Sequence, residues 1–370
     1  MPDKAPLSMV DASRLLIEGA VQAGADVFIG YPITPANLLY AYASQRFPRM
    51  LPAPDEISTL QYMSGLSAAG KLPVTATSFP GLALMVESLG MAYMMELPMV
   101  VMLVQRMGPS TGTATCGAQG DIGLIANVNS GGYPVPTLCP ASYQDCHELS
   151  ARAVKLAVEL RSPVFLVTSK EMVMTLKSFD MSTLKPVEPV DRNWYGGEGE
   201  YIPYLPGENG VPSFLPVGSR KHQVRITAST HDSTAALQHS TPEALANTRR
   251  LRSKMERNLS DYLYYDYDRQ DSDTLVISYG ITAAAAREAV ASLRRDGKTV
   301  SLLIAKTLFP VPPEYLEIAS GYQRVVIAEE NQNGQYRELL FGLNGRSGVS
   351  GVNGIGRLIT PSEIIQEVCR

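Results

Sequence analysis

Cysteine is scarce and scattered. Four occur in 370 residues, Cys116, Cys139, Cys146 and Cys369, and no two form a Cys-x-x-Cys pair. That spacing excludes a zinc ribbon, and a [4Fe–4S] cluster held by this chain alone would need all four to converge. Free thiols are the expectation, and with them a cytoplasmic location. The four histidines, His147, His222, His231 and His239, show no metal-ligand spacing either. No block of lysine and arginine stands out and the net charge is −4, which argues against nucleic acid as the main ligand. No run reaches the roughly 18 apolar residues of a membrane span. The longest apolar region, residues 91–104, is broken by Glu96 and Pro98. Residues 1–6 are polar and residues 7–10 are too short for the apolar core of a signal peptide. No internal repeat is visible.

What the chain does have is apolar substance in alternating pieces. Hydrophobic residues make up 45% and charged residues 18%, enough for large cores, and the length predicts roughly two domains. The spacing of Ala12, Leu15, Leu16, Gly19, Ala20 and Ala23 predicts a helix, with Ser8 and Asp11 placed as a capping box and Gly24 as its end. Val27-Phe28-Ile29-Gly30 reads as a short buried strand running into Tyr31-Pro32-Ile33-Thr34-Pro35. There Thr34 suits an N-cap and Pro35 the first helical turn. Residues 74–78 form a second strand, followed by a helix to about Met95. Residues 98–104 form a third, followed by a long loop over 107–140. A helix from Ser142, with Asp145 as a second capping box, and a strand over 163–168 close the series. Such alternation predicts a parallel sheet with helices on both faces.

Residues 171–240 lose periodicity and gain Pro, Gly, Tyr and Asp, as an interface wrap or a functional lid would. Residues 241–270 read as a polar helix. A second α/β unit starts at Asp273, with strands at 274–278, 300–304 and 325–328 and a helix over 281–295. The expected division is 1–170, 171–272 and 273–370.

Three segments end strands at one sheet edge: residues 31–35, 78–81 and 105–112. In open α/β sheets that edge binds ligands. Arg106 stands where a central strand gives way to Met107-Gly108-Pro109-Ser110-Thr111-Gly112, and a guanidinium there can hold a planar carboxylate through two parallel bonds. The spacing alone equally allows a solvated arginine. Thr34 is either a cap or an anion contact, and Glu56 either a buried acid or first-turn compensation of the helix dipole. Gly120-Asp121-Ile122-Gly123 is a weak phosphate-loop pattern. His231-Asp232 are adjacent and so point apart on a strand, which favours structural use over a catalytic dyad.

Five motifs occur in order and at fitting spacing. They are Gly30-Tyr31-Pro32-Ile33-Thr34-Pro35, Asp55-Glu56, Ala76-Thr77-Ser78-Phe79-Pro80-Gly81, Glu96-Leu97-Pro98 and Gln105-Arg106-Met107-Gly108-Pro109-Ser110-Thr111-Gly112. With Arg161-Ser162-Pro163-Val164-Phe165, Thr230-His231-Asp232, Val276-Ile277-Ser278-Tyr279-Gly280 and Glu330-Asn331-Gln332-Asn333-Gly334-Gln335, the chain resembles the alpha subunit of 2-oxoacid:ferredoxin oxidoreductases, closest to the 2-oxoglutarate type.

The resemblance implies an α/β fold: a doubly wound parallel sheet of the thiamine-diphosphate-binding type, pyrimidine side, plus a transketolase C-terminal-like α/β domain. It implies thiamine diphosphate shared with a beta subunit, which holds the diphosphate, its Mg²⁺ and a [4Fe–4S] cluster. This chain fits that division, since it has no Gly-Asp-Gly with a downstream asparagine pair and no cysteine set. Further implied partners are a second copy of the alpha–beta unit, ferredoxin, CoA and a 2-oxoacid. Carried over residue by residue, Glu56 contacts N1′ of the aminopyrimidine and Ser78 lies on the cofactor beside it. Thr34 contacts the oxygens of the 2-oxoacid and Arg106 its carboxylate. Two departures stand out: Phe79 and Met107 replace glycines of the usual Ser-Gly-Pro-Gly and Arg-Gly-Gly-Pro, adding bulk beside the expected pocket. That bulk leaves a catalytically silent scaffolding subunit as one alternative; a second keeps the cofactor without the redox step, as a non-oxidative 2-oxoacid decarboxylase.

Overall fold

The computed structural model describes residues 7–192 and 194–370. The polar start, residues 1–6, lies outside the described residues. The first α/β unit is built on a seven-stranded sheet. Its spatial order is Arg49–Pro52, Val27–Gly30, Pro73–Thr77, Met99–Gln105, Pro163–Ser169, Thr137–Leu138 and Thr307–Phe309. All neighbours are parallel except the last pair. Met99–Gln105 and Pro163–Ser169 are buried at every residue, as the continuous apolar runs require of central strands covered on both faces.

The second unit carries a five-stranded sheet in the order Val349–Asn353, Arg324–Glu329, Thr274–Tyr279, Ser301–Ala305 and Tyr265–Asp268, the last antiparallel. The units are interleaved. Thr307–Phe309 lies past the start of the second unit yet edges the first sheet, and Tyr265–Asp268 precedes that unit yet edges the second.

Local expectations are corrected in five places. The polar helix expected over 241–270 ends at Arg257 and gives way to a short helical turn, Leu259–Tyr262, and the strand Tyr265–Asp268. Asp11 caps the first helix, Ala12–Gln22, by itself, accepting from Arg14 N at 3.2 Å, while Ser8 belongs to a short strand paired with Lys177–Phe179. Thr34 does not cap a helix, as described below. The loop 107–140 contains a helical turn, Ile122–Ala126, and the strand Thr137–Leu138. Ser142 does cap Tyr143–Leu160, but the Asp145 carboxylate bonds Ala141 N and Lys306 in place of the cap backbone.

The irregular segment is fastened by cations. Arg161 donates to the carbonyls of Pro203 and Ser213 at 2.9 and 2.7 Å. The polar helix Pro242–Arg257 anchors itself through Arg250 and Lys254, which both bond the buried Glu96. Burial alone would raise the Glu96 pKa, but the two cations hold it down, at about 2. Removing one member of such a set leaves an uncompensated buried charge, which is why it fixes the helix in place.

Candidate active site

In the first sheet the chain leaves Val27–Gly30 for its outer neighbour Arg49–Pro52, then returns to Pro73–Thr77 on the other side. The reversal opens a crevice between Val27–Gly30 and Pro73–Thr77, where the helices that follow fall on opposite sides. Thr34 follows the first of these strands and Ser78 the second. Arg106 follows the next strand along, and Glu56 opens the helix after Arg49–Pro52.

Thr34 sits in a turn closed by Ala36 N on Ile33 O at 2.8 Å. The helix begins at Asn37, with Ala36 in the cap position and no side-chain cap bond. The Thr34 hydroxyl instead accepts from Asn37 Nδ2 at 2.9 Å, and its carbonyl accepts from Arg106 Nη1 at 2.5 Å. Arg106 is therefore not a solvated strand-end residue. It is 5% exposed, and its Nε is buried with no partner. Burial lowers its pKa, against the pull of Asp121, yet a guanidinium stays charged at any ordinary pH. Among the described residues its one hydrogen bond goes to a carbonyl, and a buried cation so placed is able to receive an anion.

Glu56 is buried at the first position of Glu56–Ala68. Asp55, not Glu56, makes the cap bond, to Ser58 N at 2.6 Å. No hydrogen bond reaches the Glu56 carboxylate among the described residues. Its side chain lies against Gly81, where a Cβ would stand 2.6 Å from Glu56 Cγ and 2.1 Å from Thr77 Oγ1. Only glycine lets the helix Phe79–Met94 start this close to the acid. Ser78 holds that helix's cap position without a side-chain cap bond, and its buried hydroxyl has no partner.

Phe79 and Met107 line one cavity of about 310 Å³ together with Asp121, Glu330 and Ile355. Burial pushes the Asp121 carboxyl up to about 7, although Arg106 pulls it down, and likewise pushes Glu330 to about 7. A larger groove of about 450 Å³ lies elsewhere, beside Asp145, Asp266 and Lys306. There Lys306 is paired with both acids at 2.8 and 2.7 Å, whereas the smaller cavity is lined by Phe79 and Met107, the residues that follow Ser78 and Arg106.

Other sequence candidates are used structurally. The Gly120–Gly123 stretch cradles no phosphate: Gly123 N donates to Gln335 Oε1 at 2.9 Å and Gly120 O accepts from Gln335 Nε2 at 2.8 Å. His231 stacks on Tyr204 at 4.1 Å and bonds Ser229 O, while the Asp232 carboxylate binds Thr234, Ala236 and Gln238, so the two form no dyad. The sequence showed Glu330 as part of a family motif without a role of its own, and Asp121 only as part of a weak phosphate loop. The available signal was an acidic residue directly after the strand Arg324–Glu329 for Glu330, and one directly before the helical turn Ile122–Ala126 for Asp121.

Two family matches cover most of the chain. Residues 18–249 match the thiamine-diphosphate-binding domain of pyruvate flavodoxin/ferredoxin oxidoreductases, and residues 272–364 match core domain II of pyruvate:ferredoxin oxidoreductase. A 2-oxoglutarate synthase subunit KorA of Methanocaldococcus jannaschii is 30% identical over 90% of this chain and 91% of its own length. A ketoisovalerate oxidoreductase subunit VorB of Methanothermobacter thermautotrophicus is 29% identical over 97% and 96%. The solved 2-oxoglutarate:ferredoxin oxidoreductase of Magnetococcus marinus superposes with a TM-score of 0.93 at 28% identity, covering 98% of this chain. This chain spans 65% of that one. The crevice with its carboxylate and guanidinium, the two matched domains and these relatives agree: the chain belongs to the 2-oxoacid:ferredoxin oxidoreductases, as an alpha subunit.

Proposed function

We propose that this chain, with a beta subunit, performs the CoA-dependent oxidative decarboxylation of a 2-oxoacid, foremost 2-oxoglutarate. One 2-oxoacid and one CoA thiol give an acyl-CoA, CO₂, a proton and two electrons, and the electrons pass to ferredoxin. The observation that carries this reading is the buried Arg106, tied to the Thr34 carbonyl at the switch point with its Nε unpartnered. The 2-oxoglutarate preference rests on the relatives named for it and on the solved relative, whose structure holds 2-oxoglutarate, CoA and succinyl-CoA.

The residues present fit the pyrimidine end of thiamine diphosphate. Glu56 is a buried acid whose carboxylate no hydrogen bond reaches among the described residues, Ser78 is a buried hydroxyl without a partner among them, and Gly81 clears the space against Glu56. Thiamine diphosphate, when bound, supplies the carbon nucleophile and the electron sink for CO₂ loss. Glu56 holds and returns a proton at N1′ of the ring, and its burial strengthens that hydrogen bond. Arg106 and the Thr34 hydroxyl orient the 2-oxoacid. Arg106 must bind the carboxylate without overholding it, because decarboxylation removes that charge. Phe79 and Met107 form an apolar wall of the neighbouring cavity.

A beta subunit holding the diphosphate, Mg²⁺ and a [4Fe–4S] cluster, a second alpha–beta copy and a cytoplasmic location complete the reading. Exposed apolar side chains support a subunit contact at this edge: Tyr31, Ile57, Tyr62 and Leu84 are 42%, 48%, 47% and 50% exposed, on the same segments that carry Thr34, Glu56 and Ser78. An apolar patch beside a site is an expected interaction surface. Among the described residues no helix is long and apolar enough to cross a membrane. The test is to purify the native complex and profile 2-oxoacids with CoA and a viologen dye. CoA-dependent dye reduction with 2-oxoglutarate supports the reading; CO₂ release without dye reduction or CoA consumption overturns it.

A further inference from the structure

The Arg106 site contains a second group that the proposed reaction has not used. Asp121 Oδ2 is buried and has no hydrogen-bond partner, and Arg106 Nε is buried and has none either. The two lie close enough to act on each other's charge, and Asp121 N donates to the side chain of Gln105, the residue before Arg106, at 3.2 Å. Yet no ion pair joins them among the described residues. Buried opposite charges that remain apart while each keeps an atom without a hydrogen-bond partner among the described residues describe a gap shaped for something else.

We propose that Asp121 is a positioning residue for the substrate carboxylate, neutral while Arg106 carries that carboxylate and ionised while Arg106 is bare. This deepens the assignment of Arg106 to the 2-oxoacid and rests on it. The reasoning is charge conservation in a buried place. A guanidinium, a substrate carboxylate and an ionised Asp121 together would put two anions on one cation away from water. When the carboxylate leaves as CO₂, the guanidinium alone would be an uncompensated buried charge. Asp121 removes both penalties: it takes one proton when the 2-oxoacid binds and releases one when CO₂ departs, so the cycle is proton-neutral at this residue. The adjoining cavity of about 310 Å³, which Asp121 lines, is the route by which that proton exchanges with solvent. Burial places the Asp121 acid at about 7, where both forms are accessible. The charged groups facing it are Arg106 from the strand end and Glu330 from the second unit across the cavity. Glu330 bonds Ile359 N at 3.3 Å.

The sign follows. At pH above about 7, free Asp121 is ionised and competes with the substrate for Arg106, so affinity for the 2-oxoacid falls. In the intact alpha–beta holoenzyme, KM for 2-oxoglutarate should rise about fivefold or more between roughly pH 6 and pH 8.5, approaching the tenfold-per-unit limit of one coupled proton. KM for CoA should not follow it. Asp121→Asn keeps the shape and cannot ionise, so its KM should stay within about twofold over that range; Glu330→Gln should retain the wild-type rise. A flat wild-type profile overturns the proposal. So does an Asp121→Asn protein that keeps the rise, or a Glu330→Gln protein that loses it. Arg106→Lys separates the two layers: if it leaves KM unchanged, the Arg106 assignment itself fails, whereas a raised KM with a persistent rise in the Asp121→Asn protein sinks only the role of Asp121.

Discussion

The molecule has two switch points, and they have opposite contents. In the first sheet the crevice between Val27–Gly30 and Pro73–Thr77 is edged by polar groups left open among the described residues: the buried Glu56 carboxylate, which no hydrogen bond reaches, and Ser78 Oγ and Arg106 Nε, which have no partner. In the second sheet the chain reverses between Thr274–Tyr279 and Arg324–Glu329, and that crevice is filled by one side chain from the first unit. Gln119 Nε2 donates to Tyr279 O at 3.0 Å, and its Oε1 accepts from Glu330 N at 2.8 Å and Thr282 Oγ1 at 2.9 Å. Its backbone N–H donates to Glu330 O at 2.7 Å. Gly280, at φ +56, has no room for a Cβ because Gln119 Nε2 would lie 2.8 Å away. One topology thus serves two ends. Where all polar groups are satisfied the crevice is a joint, and where they are left open it is a site.

The comparison predicts that variants at the two places fail in different ways. The largest effect is Glu56→Gln, which keeps size but cannot share a proton: turnover should fall about a hundredfold or more, equal to roughly 3 kcal/mol of barrier, with a thermal midpoint near wild type. An unfolding midpoint that drops along with the rate would make Glu56 part of the scaffold. At the filled crevice, Gln119→Ala should do the reverse. It strands Glu330 N and Tyr279 O in a buried place, so stability should fall by about 2–3 kcal/mol in denaturant titrations, while KM for the 2-oxoacid in the folded fraction changes little. A Gln119→Ala protein of wild-type stability with damaged kinetics would erase the distinction between the two crevices.

Arg106→Lys keeps the charge but loses the fork. KM for the 2-oxoacid should rise about tenfold, roughly 1.4 kcal/mol, and KM for CoA much less. Steady-state kinetics with each substrate varied in turn measures the split, and a change within about twofold for every accepted 2-oxoacid would move the carboxylate elsewhere. The smallest effect is Thr34→Val. Because the Thr34 hydroxyl bonds a side chain and caps no helix, its removal should cost less than about 1 kcal/mol of stability. Its KM effect should share the direction of Arg106→Lys and be weaker.

Much of this was legible in one dimension. Continuous apolar runs at residues 99–105 and 163–169, bounded by Pro, Gly and Ser, specify buried parallel strands because burial on both faces leaves no polar alternation. The segments that end the predicted strands put Thr34, Ser78 and Arg106 at one edge, since a parallel sheet sends every strand's carboxyl end to the same side, while Glu56 joined them only through the family resemblance. The third dimension decided what those residues do for each other. Whether Arg106 is solvated depends on the Thr34 carbonyl, 72 positions away. Thr34 read as a cap because Thr-Pro is a common helix start, but the turn closed by Ala36 and Ile33 delays the helix to Asn37. That Asp121 and Glu330 share one cavity, and that Gln119 fills the second crevice, depended on how the second unit docks on the first. Strand and helix periodicity are properties of neighbours in sequence, so the chain by itself determined them. The vacancy of a buried donor or acceptor is a property of everything packed around it, and only the assembled tertiary structure decides that.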